Sequence, residues 1–241
     1  MDSARVLACV RWALNSFFLH SGGGERRTRI SAPYGIFPAA RRLESKFAVL
    51  QEEVERLLEG RQMMRYSEID PVRASHISKE WLLQPLYILG VANESARDKC
   101  PSLIGFAEQT PEVVAVAVSM LEPGVSLAPH AGANAGLLRY HLCVKTPETN
   151  PPRLRVDQDF YTWKEGEGVV LDDTFEHEVE NSSDGTRVVV IIDFRRPMGM
   201  VASLLNRYFL RSQRDGATRR LRAVNDEYLR DARRGGVMSA G

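Results

Sequence analysis

Val113-Val114-Ala115-Val116-Ala117-Val118-Ser119-Met120-Leu121 is an apolar, largely β-branched run that stops at Glu122-Pro123-Gly124. A run of this kind, closed by a Pro-Gly turn, reads as a strand. Downstream, Leu137 to Thr146 alternates. Leu138, Tyr140, Leu142 and Val144 oppose Arg139, His141, Cys143 and Lys145, so one face is apolar and the other polar. Pro147, Pro151 and Pro152 mark a loop. Short strands follow at 153–156, 169–171 and 187–194, separated by turns at 163–168 and 181–185. Short strands with turn signals at this spacing predict a sandwich or barrel.

Upstream, Leu43, Phe47, Leu50, Val54 and Leu57 recur every three or four residues, which predicts a helix over 41–59 with Gly60 as its stop. Residues 61–110 are mixed: a strand within 80–89 and a short helix over 102–109. The fold class expected is therefore mainly β with flanking helices, an α+β chain. After Pro197 an apolar segment runs into an arginine-rich stretch over 211–234, with Leu221, Val224, Tyr228 and Leu229 interleaved. It reads as a basic amphipathic helix, either a solvated tail or a contact with an anionic membrane surface. At the other end Val6 to Phe18 is largely apolar but interrupted by Arg11, and Arg26, Arg27 and Arg29 follow a glycine run. An interfacial helix, a targeting segment and a helix packed on the domain are all compatible with it. The chain thus divides into an N-terminal segment 1–35, a central domain 36–198 and a tail 199–241.

The chain has 241 residues, 44% hydrophobic and 26% charged, enough apolar content for a packed core. A net charge of +1 offers nothing to nucleic acid. Cys9, Cys100 and Cys143 are odd in number and widely spaced, against a disulfide framework or structural zinc. A cytoplasmic location, with the basic tail as a route to a membrane surface, is the expectation. Oligomeric state is not readable.

The chemistry is expected at His130, in Leu127-Ala128-Pro129-His130-Ala131-Gly132, and at His177, in Asp172-Asp173-Thr174-Phe175-Glu176-His177-Glu178. Imidazole is a good ligand for iron and its neighbours in the transition series. A non-haem iron site usually adds a carboxylate, often two residues past the first histidine. Gly132 stands there and cannot ligate, so the third position falls to a carboxylate from elsewhere or to water. Asp172 and Asp173 are the nearest acids in sequence, better suited to capping a turn. Arg139 and His141 share a strand face and suit donation to an anion. Arg187 opens the next strand, where a guanidinium can clamp a carboxylate through two parallel hydrogen bonds. The glycine at 132 also leaves open a halide at the metal.

These pieces meet in a resemblance. Ser119–Gly124, Pro129–Gly132, Leu138–Leu142, Trp163–Gly166, Asp172–Val179, Arg187–Asp193 and Arg196-Pro197 together resemble the aspartyl/asparaginyl β-hydroxylase family. More loosely, the likeness runs back through Trp81 to Leu43. The resemblance implies a double-stranded β-helix of the jelly-roll, cupin-like kind, Fe(II), and 2-oxoglutarate and O₂ as co-substrates. It makes His130 and His177 the metal ligands and catalytic residues, with no carboxylate ligand. Arg187, Ser119, Arg139 and His141 become co-substrate contacts. The implied activity is a dioxygenase that hydroxylates an unactivated C–H bond. The first expected substrate is the β-carbon of an Asp or Asn side chain, in a peptide, protein or small molecule. The alternatives are a lipid acyl chain at a membrane surface and a non-catalytic binding module.

Overall fold

The computed structural model describes residues 3–59, 63–78 and 80–237. In chain order its elements begin with α1 (Ser3–Ser21), β1 (Ile30–Ser31), α2 (Ala40–Glu44) and α3 (Phe47–Glu59). β2 (Met64–Arg65), α4 (Tyr66–Ile69), α5 (Pro71–Ile77), β3 (Leu82–Ile88), β4 (Val91–Ala92), α6 (Glu94–Arg97) and α7 (Pro101–Gln109) follow. Then come β5 (Val113–Leu121), β6 (Leu127–His130), β7 (Leu137–Lys145), β8 (Arg153–Val156) and β9 (Asp159–Thr162). The last are β10 (Gly168–Leu171), β11 (His177–Glu180), β12 (Arg187–Arg195) and α8 (Met200–Val237). Gly60, the side chains of the tail beyond Arg219 and everything from Met238 on lie outside the described residues.

The strands form two antiparallel sheets. The larger runs β1-β10-β7-β12-β5-β3-β2, with β4 beside β3; the smaller runs β6-β11-β8-β9. Period-two alternation sorts each long strand of the larger sheet between two cores. In β12, Val188, Val190, Ile192 and Phe194 pack toward a core shared with Leu43, Leu50, Val54 and Leu57 of α2 and α3 and Leu103 and Ile104 of α7. Val189 and Ile191 face the other way, into a core shared with Leu127, Leu154, Val156 and Val179 of the smaller sheet. β7 divides likewise: Leu138, Tyr140, Leu142 and Val144 on the helix side, Cys143 on the sheet side. The polar face expected for this strand is thus a buried face that looks at the second sheet. α3 also carries Glu53 on its buried side, where the carboxylate accepts the amides of Ser102 (2.8 Å) and Leu103 (3.2 Å) at the start of α7.

The expected closed double-stranded β-helix is not what forms. Among the described residues no strand of one sheet pairs with a strand of the other, so both sheets stay open. Among the described residues the α-helices take 99 and the strands 60, a mixture of helix and sheet rather than a mainly β chain. The reason is physical. Alternation reports that a strand is buried, but it is silent on whether the outer strands join. Here β1 and β2 end the larger sheet, while helices cover the face that sequence reading left unassigned.

Candidate functional site

Both histidines sit on short strands of the smaller sheet that sequence reading missed. His130 ends β6, His177 begins β11, and the two are direct cross-strand partners. Side chains of such a pair leave the same face of a sheet, and the two ring centroids are 4.2 Å apart. The Nδ1 of His130 lies 2.7 Å from the Ala128 carbonyl, and that of His177 lies 3.0 Å from the Phe175 carbonyl. A carbonyl only accepts, so each Nδ1 carries the proton and each Nε2 keeps its lone pair. Burial is the main cause that pushes both imidazoles down to about 4, with mutual repulsion adding at His130. At neutral pH both are uncharged, the state a metal ligand requires.

The long strands opposite supply the rest. Ser119 of β5, Arg139 and His141 of β7, and Arg187 of β12 line a small cavity together with His130 and His177. The sequence-predicted residues are therefore brought together, but not on equal terms. Arg139 is engaged: it donates to both carboxylate oxygens of Asp193 (2.7 and 3.0 Å), with Asp173 at 3.5 Å. The hydroxyl of Ser119 accepts the Trp81 indole N–H at 2.9 Å and keeps its own proton to donate. His141 is buried with neither ring nitrogen bonded, and burial first, then Arg139 and Arg187, hold it well below its usual range.

Arg187 is the exceptional group. It is 1% exposed, its Nε is unbonded, and among the described residues it has no carboxylate partner. Its guanidinium carbon lies 4.6 Å over the Trp163 ring. Burial pulls its pKa down to about 10, so it remains a cation at neutral pH. A buried charge without a counter-ion is rare unless a ligand supplies one.

The acids near the histidines are committed. Asp172 takes two 2.7 Å hydrogen bonds from Arg196, one of 3.1 Å from Arg27 and one of 2.6 Å from the Thr174 hydroxyl. Burial acts to raise its carboxyl, but those partners outweigh it and hold the group below 3.8. Asp173 points instead at Gly132: a Cβ on that glycine would sit 2.5 Å from the Asp173 carboxylate. The space opened by the missing side chain is thus filled by an anion, which disfavours a halide there. Among the described residues no set of three His, Cys, Asp or Glu side chains is arranged to hold a metal. Two neutral imidazoles facing a cluster of unsatisfied donors nevertheless fit a metal completed by an anionic chelator. Asp193 and Trp163 were passed over as site residues. Asp193 was findable, since it shares the period-two face of Arg187, Val189 and Ile191.

The cavity around Arg187 is small, about 20 Å³. It adjoins a wider pocket of about 280 Å³ that shares Trp81, His130, Arg139 and His177. The wall of the wider pocket is mostly apolar, including Ile69, Ile77, Leu83, Ile88, Ala117 and Ile191. Its other cation, Arg73, donates to the Ala131 carbonyl at 2.9 Å.

Comparison with known proteins gives the following. The family model described as "Aspartyl/Asparaginyl beta-hydroxylase" matches residues 44–197. An ornithine lipid ester-linked acyl 2-hydroxylase from Rhizobium tropici is 32% identical over 173 residues, covering 70% of this chain and 62% of that protein. The human aspartyl/asparaginyl beta-hydroxylase is 30% identical over 123 residues, 49% of this chain but 16% of the human protein. The chain therefore spans less than two thirds of either relative. Among solved structures, a 2OG-Fe(II) oxygenase family oxidoreductase from Burkholderia pseudomallei covers 49% of this chain and 69% of its own at 11% identity. Its TM-score of 0.38 is too low to bear on fold or function.

Proposed function

Because this chain belongs to the aspartyl/asparaginyl β-hydroxylase family, we propose that it is an Fe(II)- and 2-oxoglutarate-dependent hydroxylase. One observation carries this reading: the buried, unpaired Arg187 shares a cavity with two neutral imidazoles. His130 and His177 would hold the iron through Nε2. Arg187 would take a carboxylate of 2-oxoglutarate, and the Ser119 hydroxyl and an N–H of His141 would complete its donors. When bound, iron and 2-oxoglutarate use O₂ to place a hydroxyl on a C–H bond, with succinate and CO₂ as the other products. The protein's own residues position the reactants and keep water out. The Ala128 and Phe175 carbonyls fix both rings in one orientation. Asp193 and Asp173 hold Arg139 against the wall, so that its charge does not compete with Arg187.

For the substrate, the mostly apolar wall beside the histidines favours a hydrocarbon, and hence a lipid acyl chain, over an Asp or Asn side chain. A buried aspartate side chain would call for a free cation, and Arg139 is already neutralised. Arg73 is the observation that keeps the Asp or Asn reading second, since among the described residues it has no carboxylate partner and lines the pocket. Succinate release and product mass decide between them. The purified protein with iron and 2-oxoglutarate is offered either an acylated amino-acid lipid or an Asp-containing peptide. One added oxygen on the acyl chain is expected. Addition to the peptide alone would reverse the order, and no succinate with either would leave a binding module.

A further inference from the structure

We propose that α1 and the first turns of α8 form a docking surface for an anionic lipid bilayer. This goes beyond the hydroxylase reading and does not depend on the substrate being a lipid.

The two helices pack together through Leu14, Phe18 and Leu19 of α1 and Ala202 and Phe209 of α8. Next to that seam both leave large apolar side chains in solvent. On α8, Met200 is 78% exposed and Tyr208 76%, with Val201, Leu204 and Leu205 also exposed. At about 100° per residue these five fall within an arc of roughly 140°. On α1, Val6, Val10 and Phe17 are exposed in one narrow stripe, and Trp12 is exposed as well. Isolated exposed apolar residues are ordinary, but two packed helices that share the feature mark an interaction site.

Charge identifies the occupant. No Asp or Glu occurs from Ser3 to Gly24 or from Met198 to Arg214, while Arg5, Arg11, Arg207, Arg211 and Arg214 are exposed on the two helices. The α8 arginines flank the apolar arc on the side of Arg195, and the three join it around one surface hollow. An apolar stripe edged by arginines, with no acid among them, complements an anionic headgroup layer over acyl chains. A helix that lies in the interface suffices: among the described residues none is long and apolar enough to cross a membrane.

The surface is tied to the pocket. The Asn15 side chain of α1 donates to the Ala133 carbonyl (3.0 Å) and accepts the Ala135 amide (3.1 Å). The Asn206 side chain of α8 donates to the Gly136 carbonyl at 2.8 Å. A Cβ at Gly136 would strike Asn206 at 2.2 Å, so the loop is pressed onto the helix there. Ala133 and Asn134 line the wide pocket with His130. Asn206 stands opposite the exposed arc of α8 and Asn15 opposite the narrow stripe of α1, so the surface is fixed to the pocket loop through the inner faces of both helices and looks outward from it.

The test is co-sedimentation of the full chain with vesicles, without iron or 2-oxoglutarate, so that its outcome is separate from that of the activity assay. Vesicles of phosphatidylcholine alone are compared with phosphatidylcholine mixed with phosphatidylglycerol. The wild type is expected to pellet with the mixed vesicles only and to be released by salt. Arg207→Gln, Arg211→Gln and Arg214→Gln are each expected to lower partitioning about five-fold. Leu204→Glu with Tyr208→Glu is expected to lower it ten-fold or more. Phe160→Glu, at an exposed apolar position on the far smaller sheet, should leave it unchanged. Melting temperatures confirm that each variant is folded. Absent or charge-independent binding, or unchanged binding by the Leu204/Tyr208 variant, overturns the proposal. So does a dimer in sedimentation equilibrium that the same variant dissociates, because a second copy would then cover this face.

Discussion

Replacing Arg187 by methionine should stabilise the protein while it removes 2-oxoglutarate binding, an opposition that few other roles for this residue produce. The guanidinium is 1% exposed, has no carboxylate partner among the described residues and is pulled down from its usual range to about 10 by burial. The displacement corresponds to roughly 3 kcal/mol against the charged form. The sign is fixed: the folded chain binds this proton less tightly than the unfolded chain. The penalty is therefore present in full at any pH below about 10 and fades only as pH rises toward the usual guanidinium range. Methionine has similar length and no charge, so the penalty goes. What is lost is the contact over Trp163, worth about 0.5–2 kcal/mol. The net gain is about 1–2.5 kcal/mol, or about 2–10 °C in melting temperature for a chain of this size. Scanning calorimetry of the ligand-free protein measures it. Adding 2-oxoglutarate with a divalent metal should then raise the wild-type melting temperature by mass action and leave the variant unmoved, because a buried charge pair is worth about 2–5 kcal/mol of binding. A variant less stable than wild type, or one that still shows the ligand shift, would refute the claim that Arg187 is a cation held for an incoming anion.

Three further outcomes follow from the same geometry. His130→Ala or His177→Ala should abolish Co(II) binding in anaerobic titration calorimetry while circular dichroism of the metal-free protein is unchanged; binding retained by either variant removes that histidine from the ligand pair. Gly132→Asp should not create a third ligand, because its Cβ would meet the Asp173 carboxylate at 2.5 Å; a stability loss of about 1–3 kcal/mol with no gain in metal affinity is expected, and tighter metal binding would show that Asp173 yields. Asp172→Asn should cost about 3–5 kcal/mol at neutral pH, since it breaks a buried pair with Arg196. The folded carboxyl is held below 3.8, so that stability is present above the unfolded value and lost as pH falls through the folded one. Urea midpoints of wild type and Asp172→Asn should therefore converge below about pH 4, and a gap that persists in stronger acid contradicts the pairing.

Much of the larger sheet could be read directly. β5, β7 and β12 announce themselves because both of their faces are built at period two, and Arg187, Ser119, Arg139 and His141 fall on one of those faces. The smaller sheet was harder. β6, β9 and β11 are four residues each, too short for alternation to stand out, and Pro129 and the run His177-Glu178-Val179-Glu180 resemble loop composition. The register that places His177 opposite His130 joins residues far apart in the chain, and no local pattern encodes it. The same holds for Arg139 and Arg187. Sequence gives both as strand arginines on one face. Only the fold shows that Asp193, directly across the ladder from Arg139, engages one guanidinium while the other has no carboxylate partner among the described residues.

That asymmetry connects the two unusual features of the site. The histidines are neutral, and no described carboxylate joins them. The three acids within reach are engaged with three arginines: Asp172 with Arg196 and Arg27, Asp173 and Asp193 together with Arg139. Among the described residues none of these acids joins the two histidines as a third ligand, and none pairs with Arg187. On the proposed reading, a doubly negative acid that chelated the metal at one end and reached Arg187 at the other would supply both deficits at once. A carboxylate at position 132 would weaken that dependence, since the metal would then draw its counter-charge from the protein. The glycine at 132 and the partnerless guanidinium at 187 are in this sense one electrostatic arrangement. It would make metal affinity and co-acid affinity rise together, as linkage between two ligands of one site requires.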